Sequence, residues 1–245
     1  TVNRSQLLMP MPQFTSVGAT LGNGFSWYHA ATVRVDKRFT RGYSLQAVYT
    51  WAKNMEATQY LNPTDAALTH SISAADRPHH IVISGMWDIP WARTRLWGGW
   101  SLNAIYQWQS GAPIGFGNII FNGDVHNIVL PASERQLERW FNTDAGFNKV
   151  AAQQLASNIR TFPLRLTGLR ADHWNYWDIS LIKTFRIHER LKFELRGEAV
   201  NAFNTPIFSA PNTSPTSTLF GQVTSTIWTE QRKICLLYTS DAADE

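Results

Sequence analysis

Residues 177–203 read WDISLIKTFRIHERLKFELRGEAVNAF, and their spacing decides the fold. In the second half Leu191, Phe193 and Leu195 alternate with Lys192, Glu194, Arg196 and Glu198. Strand side chains point to opposite faces with period two, so this run has one apolar face and one charged face. The first half alternates more loosely: Ile179, Leu181 and Phe185 stand against Asp178, Ser180 and Thr184, with Ile182 and Lys183 each on the wrong face. Two runs of about ten residues, joined by the polar link 187–190, predict a long β-hairpin. Strands of soluble domains average about five or six residues, whereas a tilted membrane-spanning strand takes about nine to eleven.

The same pattern recurs upstream. Residues 28–39 set Ala31, Val33, Val35 and Phe39 against Thr32, Arg34, Asp36 and Arg38. Residues 43–51 return with Tyr43, Leu45, Ala47, Tyr49 and Trp51 on the apolar parity, and Gly42 supplies the positive φ a tight link needs. A further hairpin joins 80–89 (Ile81, Ile83, Trp87, Ile89) to 100–110 (Trp100, Leu102, Ala104, Tyr106, Trp108) across the aromatic link 90–99. A last strand starts near Gln231. Residues 1–27, 53–78, 111–173 and 204–230 read as loops. In the third of these Ser133 and Gln136 fit a capping box before Leu137 and Trp140, and 150–156 is helix-friendly. Short links (40–42, 90–99, 187–190) follow the first, third and fifth strands, and connections of about two dozen residues or more follow the others. An up-and-down sheet would then carry every short turn on one side and every long loop on the other. Outer-membrane barrels have that asymmetry.

Composition is consistent with this. Of 245 residues 16% are charged and 13% aromatic, with eleven Trp, a residue suited to membrane–water interfaces. The absence of any apolar run of about eighteen residues excludes a transmembrane helix, though not a barrel. The net charge of +4 is spread without a polybasic block, so no nucleic-acid partner is expected. Cys235 is the single cysteine, which leaves no disulfide. Thr1 is no initiator and no signal peptide follows it, so the chain is expected to begin inside a longer one. Residues 235–245, CLLYTSDAADE, resemble a translated sequencing adapter of metagenomic origin and are expected to be foreign. Residues 1–234 then form the one domain, with net charge +7 (22 basic minus 15 acidic).

Six phrases in order carry a family resemblance: YHAATVRVDKRFTRGYSLQAVYTWAKNM, DRPHHIVISGMWDIPW, GWSLNAIYQWQSGAPI, RWFNTDAGF, DISLIKTFRIHERLKFELRGEAVNAFNTPIF, and FGQVTST with QRKI. From Gln6 to Ile234 the chain resembles the carboxy-terminal barrel of TonB-dependent outer-membrane receptors, of the large type with an N-terminal carboxypeptidase-regulatory-like domain. The resemblance implies a 22-stranded barrel filled by a plug. It implies energy-coupled uptake of a scarce solute in the bacterial outer membrane. The implied partners are outer-membrane lipid, the plug of the same chain, the TonB energy-transducing complex acting through that plug, and the barrel-assembly machinery. No cofactor is implied. The expected fold is all-β: an antiparallel up-and-down transmembrane β-barrel fragment of about six complete strands plus the start of a seventh, an open curved sheet. Alternatives are a passive porin or an outer-membrane structural or adhesion barrel, and a secreted carbohydrate-binding β-sandwich.

Candidate residues follow. Arg34, Asp36, Arg38, Asn103, Gln107, Glu194, Arg196 and Glu198 are expected on the lumen face, contacting the plug or forming a ladder of cross-strand ion pairs. Tyr49, Trp51, Trp87, Trp100, Trp108 and Trp177 are expected as membrane-interface girdles. Arg139, Trp140, Phe141 and Asn142 in the longest loop are the ligand-binding candidates, with an aromatic facing the outside medium. His79 and His80 are adjacent on a strand and point to opposite faces, so with His70 and Asp76 they make a poor chelate and no metal is expected. Glu194 and Glu198 share a face about 13 Å apart, beyond the roughly 5–9.5 Å of glycosidase carboxylates. No enzyme is expected.

Overall fold

The computed structural model describes residues 7, 11–14, 22–90, 98–154, 159–188, 191–227 and 231–242. Seven long strands run in chain order: β1 (Phe25–Thr40), β2 (Tyr43–Ala57), β4 (His79–Ile89), β5 (Trp100–Gln109), β8 (Trp174–His188), β9 (Leu191–Val200) and β10 (Lys233–Ala242). Each pairs antiparallel with the next, and β1 and β10 stay unjoined, so the sheet is open. A two-residue β3 (Ser71–Ile72) adds to β2, while β6 (Pro113–Gly115) and β7 (Arg165–Arg170) form a separate small pair. Short 3-10 turns lie at Val125–Ile128, Ala132–Glu134 and Ala151–Gln153.

Register carries the alternation across the whole sheet. Directly opposed residues share a face, and the rows match: Leu45 opposes Gly85, Gly85 opposes Ala104, Ala104 opposes Ile179, and Ile179 opposes Ala199. One residue along, Gln46 lies opposite Asp36 and Ser84. A one-residue slip would exchange the faces of a strand. The β1–β2 link holds the register with Arg41 (φ 56°) and Gly42 (φ 84°) between the paired Thr40 and Tyr43, a two-residue turn with both φ positive.

Several expectations change. β1 and β2 are 16 and 15 residues long, reaching past the expected starts and ends toward the long loops. The seventh strand is ten residues long and pairs with β9 over its full length, from Lys233 opposite Val200 to Ala242 opposite Leu191. A free strand edge presents unpaired N–H and C=O groups, which any extended segment satisfies through its backbone. Ile234, Leu236 and Tyr238 then fall on the apolar parity. The capping box is absent: Pro131 caps the Ala132–Glu134 turn, without a side-chain hydrogen bond. The link 90–99 lies mostly outside the described residues, together with Trp91 and Trp97.

The core does not lie on this sheet. On the apolar face Val33, Val35 and Trp51 are 60%, 57% and 61% exposed, with no second layer over them. That excludes a two-layer sandwich, whose inner faces bury such rows. The buried residues gather at the long-loop end instead. Ile114, Phe116, Ile119, Ile128, Phe141, Phe147, Phe162, Leu169 and Phe220 form one cluster, drawn from the β5–β8 and β9–β10 connections.

Candidate functional site

The polar face is assembled by parity. Arg34, Asp36, Asn103, Gln107, Glu194, Arg196 and Glu198 fall on it together, with Tyr176, Asp178 and Ser180 beside them. Arg38 lies where the register shifts between Lys37 and Thr40, outside the regular alternation. The ion pairs run along strands and not across them: Arg34–Asp36 at 2.6 Å and Arg196–Glu198 at 2.8 Å. Next-but-one residues of a strand share a face, which brings these pairs together. Cross-strand contacts are neutral or singly charged hydrogen bonds. Gln46 Nε2 donates to Asp36 Oδ1 (2.9 Å), Arg196 Nε to Ser180 Oγ (3.1 Å) and Tyr176 Oη to Gln107 Oε1 (2.8 Å). Exposed pairs of this kind are screened by solvent and add little to stability. Two shallow grooves open here, one of about 180 Å³ lined by Asn103, Asp178, Ser180, Arg196 and Glu198, the other of about 530 Å³ by Asp36, Arg38, Gln46, Ser84 and Asn103. Met86 and Ile105 interrupt this face, 37% and 41% exposed.

At the long-loop end three connections lock into one lobe. Arginines spaced five apart in the β5–β8 connection grip the β2–β4 connection. Arg170 Nη2 donates to the fully buried Asp76 Oδ2 (2.6 Å), Arg165 Nη1 to Glu56 Oε1 (2.8 Å), and Asn62 Oδ1 accepts from Arg160 N (2.6 Å). Burial holds the Arg160 guanidinium below its usual pKa. The β9–β10 connection joins through Phe220, 5.3 Å from the Phe141 ring, and through Trp140 N donating to Gly221 O (2.9 Å). Three of the four ligand-binding candidates are therefore spent on this packing. Phe141 is fully buried, contrary to an aromatic facing outward. Trp140 is half-buried, its Nε1 donating to Arg170 O (2.7 Å), and Asn142 Nδ2 donates to Asn127 O (3.0 Å). Arg139 alone is exposed, its Nη2 3.3 Å from Asn142 Oδ1. The phenylalanines of the lobe carry no periodic signal; the even spacing of Arg160, Arg165 and Arg170 is the one mark sequence offers.

Tyr49, Trp51, Trp87, Trp100, Trp108 and Trp177 all take the apolar parity. They sort into two bands. Trp51, Tyr49, Trp108 and Trp177 stand toward the long loops, and Trp87 and Trp100 toward the short turns. Trp100 and Trp108 are eight residues apart on β5, about 26 Å along the strand and about 20 Å after a tilt near 40°. Lys183, the cation on the wrong face, is 1% exposed. It sits opposite Trp100 and donates from Nζ to the Gly98 carbonyl, with the Trp100 and Phe185 rings 5.4 and 4.8 Å away. A long stem with its charge carried to the turn is how lysine meets a membrane rim. His79 lies on the apolar face, its Nδ1 2.8 Å from Tyr49 Oη, while His80 lies on the other. Among the described residues no three His, Cys, Asp or Glu side chains form a metal-binding group.

An open antiparallel meander, greasy on one side and polar on the other, with short turns at one end and a packed lobe at the other, is the wall of a transmembrane β-barrel. Residues 1–234 match the family described as the outer membrane beta barrel domain, and the chain belongs to that family. Its place is the bacterial outer membrane. Neither the curated proteins nor the solved structures offer a match.

Proposed function

We propose that this chain is the carboxy-terminal wall of a receptor for energy-coupled, TonB-dependent uptake of a scarce solute. The observation that carries this reading is the lobe. Ordering three long loops costs about 1–2 kcal/mol of backbone entropy per residue, and here a nine-residue apolar core and the arginine contacts offset it. Such a body suits a standing capture surface on the outer side. The polar face below it would take the plug of the same polypeptide, with Arg34, Asp36, Asn103, Gln107, Glu194, Arg196 and Glu198 as its contacts. Energy transfer from the inner membrane through that plug is what the family resemblance supplies. The wall makes and breaks no covalent bond in this reading, lipid covers its outer face, and the aromatic bands act as girdles.

The test uses the full-length receptor in planar bilayers, with the carboxy-terminal domain of TonB as the binding probe. The expected result is no steady conductance until urea displaces the plug, together with binding of the probe. A stable ohmic channel that ignores the probe would make the protein a passive pore and end the receptor reading.

A further inference from the structure

The apolar face is not uniformly bulky. Along the row Leu45, Gly85, Ala104, Ile179 the two middle positions are small. The neighbouring rows are larger: Tyr43, Trp87, Leu102, Leu181 toward the short turns, and, beyond Ala47, Ile83, Tyr106, Trp177 toward the loops. The result is a groove of about 470 Å³ whose floor is Gly85 and Ala104 and whose walls include Tyr43, Leu45, Trp87 and Trp177. Its outer rows are four residues apart, about 13 Å along the strands. At its short-turn end stands Lys37, opposite Leu45, with Nζ 3.6 Å from the centre of the Tyr43 ring and 2.7 Å from Thr40 Oγ1. Arg41 in the adjoining turn is exposed. The nearby acids, Asp36 and Asp88, take the opposite parity and belong to the polar face.

We infer that this groove is a binding site for one phospholipid of the inner leaflet, its acyl chain lying over Gly85 and Ala104 and its phosphate meeting Lys37 and Arg41. The occupant follows from three facts. The face lies in the outer membrane, the short turns mark its periplasmic side, and Lys37 and Arg41, among the described residues, put positive charge at the end of the groove where an inner-leaflet headgroup would be. Lys37 Nζ donates to Thr40 Oγ1 (2.7 Å) and to Thr40 O (3.3 Å) and lies over the Tyr43 ring, which fixes the positive charge in place at the rim, where it attracts a phosphate. A fixed cation at the rim costs less ordering on binding than a free one. The site depends on the outer-membrane placement and not on the transport reading.

The experiment is native mass spectrometry of the full-length receptor released from detergent, titrated with phosphatidylglycerol or phosphatidylcholine. Ala104→Phe fills the floor, Lys37→Glu reverses the headgroup charge, and Ala31→Phe adds the same bulk elsewhere on the face. The wild type and Ala31→Phe are expected to retain one phospholipid with a preference for phosphatidylglycerol. Ala104→Phe is expected to weaken retention of both lipids about tenfold by denying burial to several methylenes. Lys37→Glu is expected to lower the preference for the anionic lipid about fivefold, the factor a surface lysine carries on an anionic leaflet. Should Ala104→Phe fail to assemble, the Lys37→Glu preference decides alone. Retention and preference equal to wild type in Lys37→Glu, or a mass showing a second receptor copy on this face in place of lipid, would overturn the site.

Discussion

Asp76 shows how much one side chain can carry in a lobe without regular structure. It is fully buried; Oδ1 accepts from Asn54 N and Oδ2 from Arg170 Nη2, each at 2.6 Å. Arg170 also donates to the backbone carbonyls of Asp76 and Gly111, so this pair joins β2, the β2–β4 connection and the end of β5. Removing one member of a buried pair costs about 3–5 kcal/mol, because the other stays desolvated. Arg170 keeps its two carbonyl acceptors and an 18% exposed side chain, which argues for the lower end of that range. Asp76→Ala in the full-length barrel protein should therefore open the lobe by about 3 kcal/mol, read as faster cleavage of the long loops by an added protease. Cleavage at the wild-type rate would show that the pair is dispensable. A pH effect is expected at Asp144, where the hydrogen bond from Lys149 and then its charge hold the carboxyl below the ordinary 3.8. A depressed carboxyl stabilises above its unfolded pKa and loses that contribution as pH falls through the folded one. The pair is largely exposed, so Lys149→Ala should leave loop cleavage unchanged at neutral pH.

Among the elements, the hairpins were legible and the lobe was not. A strand buried in lipid on one face repeats its demand every second residue, so Leu191, Phe193 and Leu195 announce their face in five letters. The two-residue turn at Arg41-Gly42 follows from the same pattern. Phe116, Phe141, Phe147, Phe162 and Phe220 meet across more than a hundred residues of chain, and nothing local tells that they pack. For that reason Phe141 read as an outward aromatic when it is a core residue. The seventh strand runs on past its expected start for a different reason. Backbone pairing along the β9 edge does not ask for a side-chain pattern, and Cys235–Ala242 satisfies it. The packing makes a sharp expectation. Phe141→Ala removes a fully buried ring that contacts Phe116, Phe147 and Phe220 at 5.5, 6.0 and 5.3 Å. The cost is about 3–5 kcal/mol, confined to the lobe because no strand of the main sheet contributes to that cluster. In the full-length protein the loops should become protease-sensitive while the barrel keeps its heat-modifiable mobility in gels. If both are lost together, lobe and wall fold as one unit.

For the whole molecule, the decisive fact is that seven strands of wall end in two free edges. Among the described residues the 16-residue β1 pairs with β2 alone and the ten-residue β10 with β9 alone, so each has one side without a neighbouring strand. Lipid provides no hydrogen bonds to such edges, and each unpaired group costs several kcal/mol there, so spanning sheets must close. Water is no refuge either, because Val33, Val35, Trp51, Leu236 and Tyr238 would expose an apolar face with no second layer to cover it. The lobe has the only compact core among the described residues, and it is anchored to strands that the wall must hold in place. Residues 1–245 expressed alone should therefore show no cooperative thermal transition in detergent by far-ultraviolet circular dichroism, whereas a closed barrel containing them should melt sharply. A sharp transition from the isolated chain would mean that its edges find partners, most simply in a second copy pairing β1 with β10, and its mass in detergent would then double.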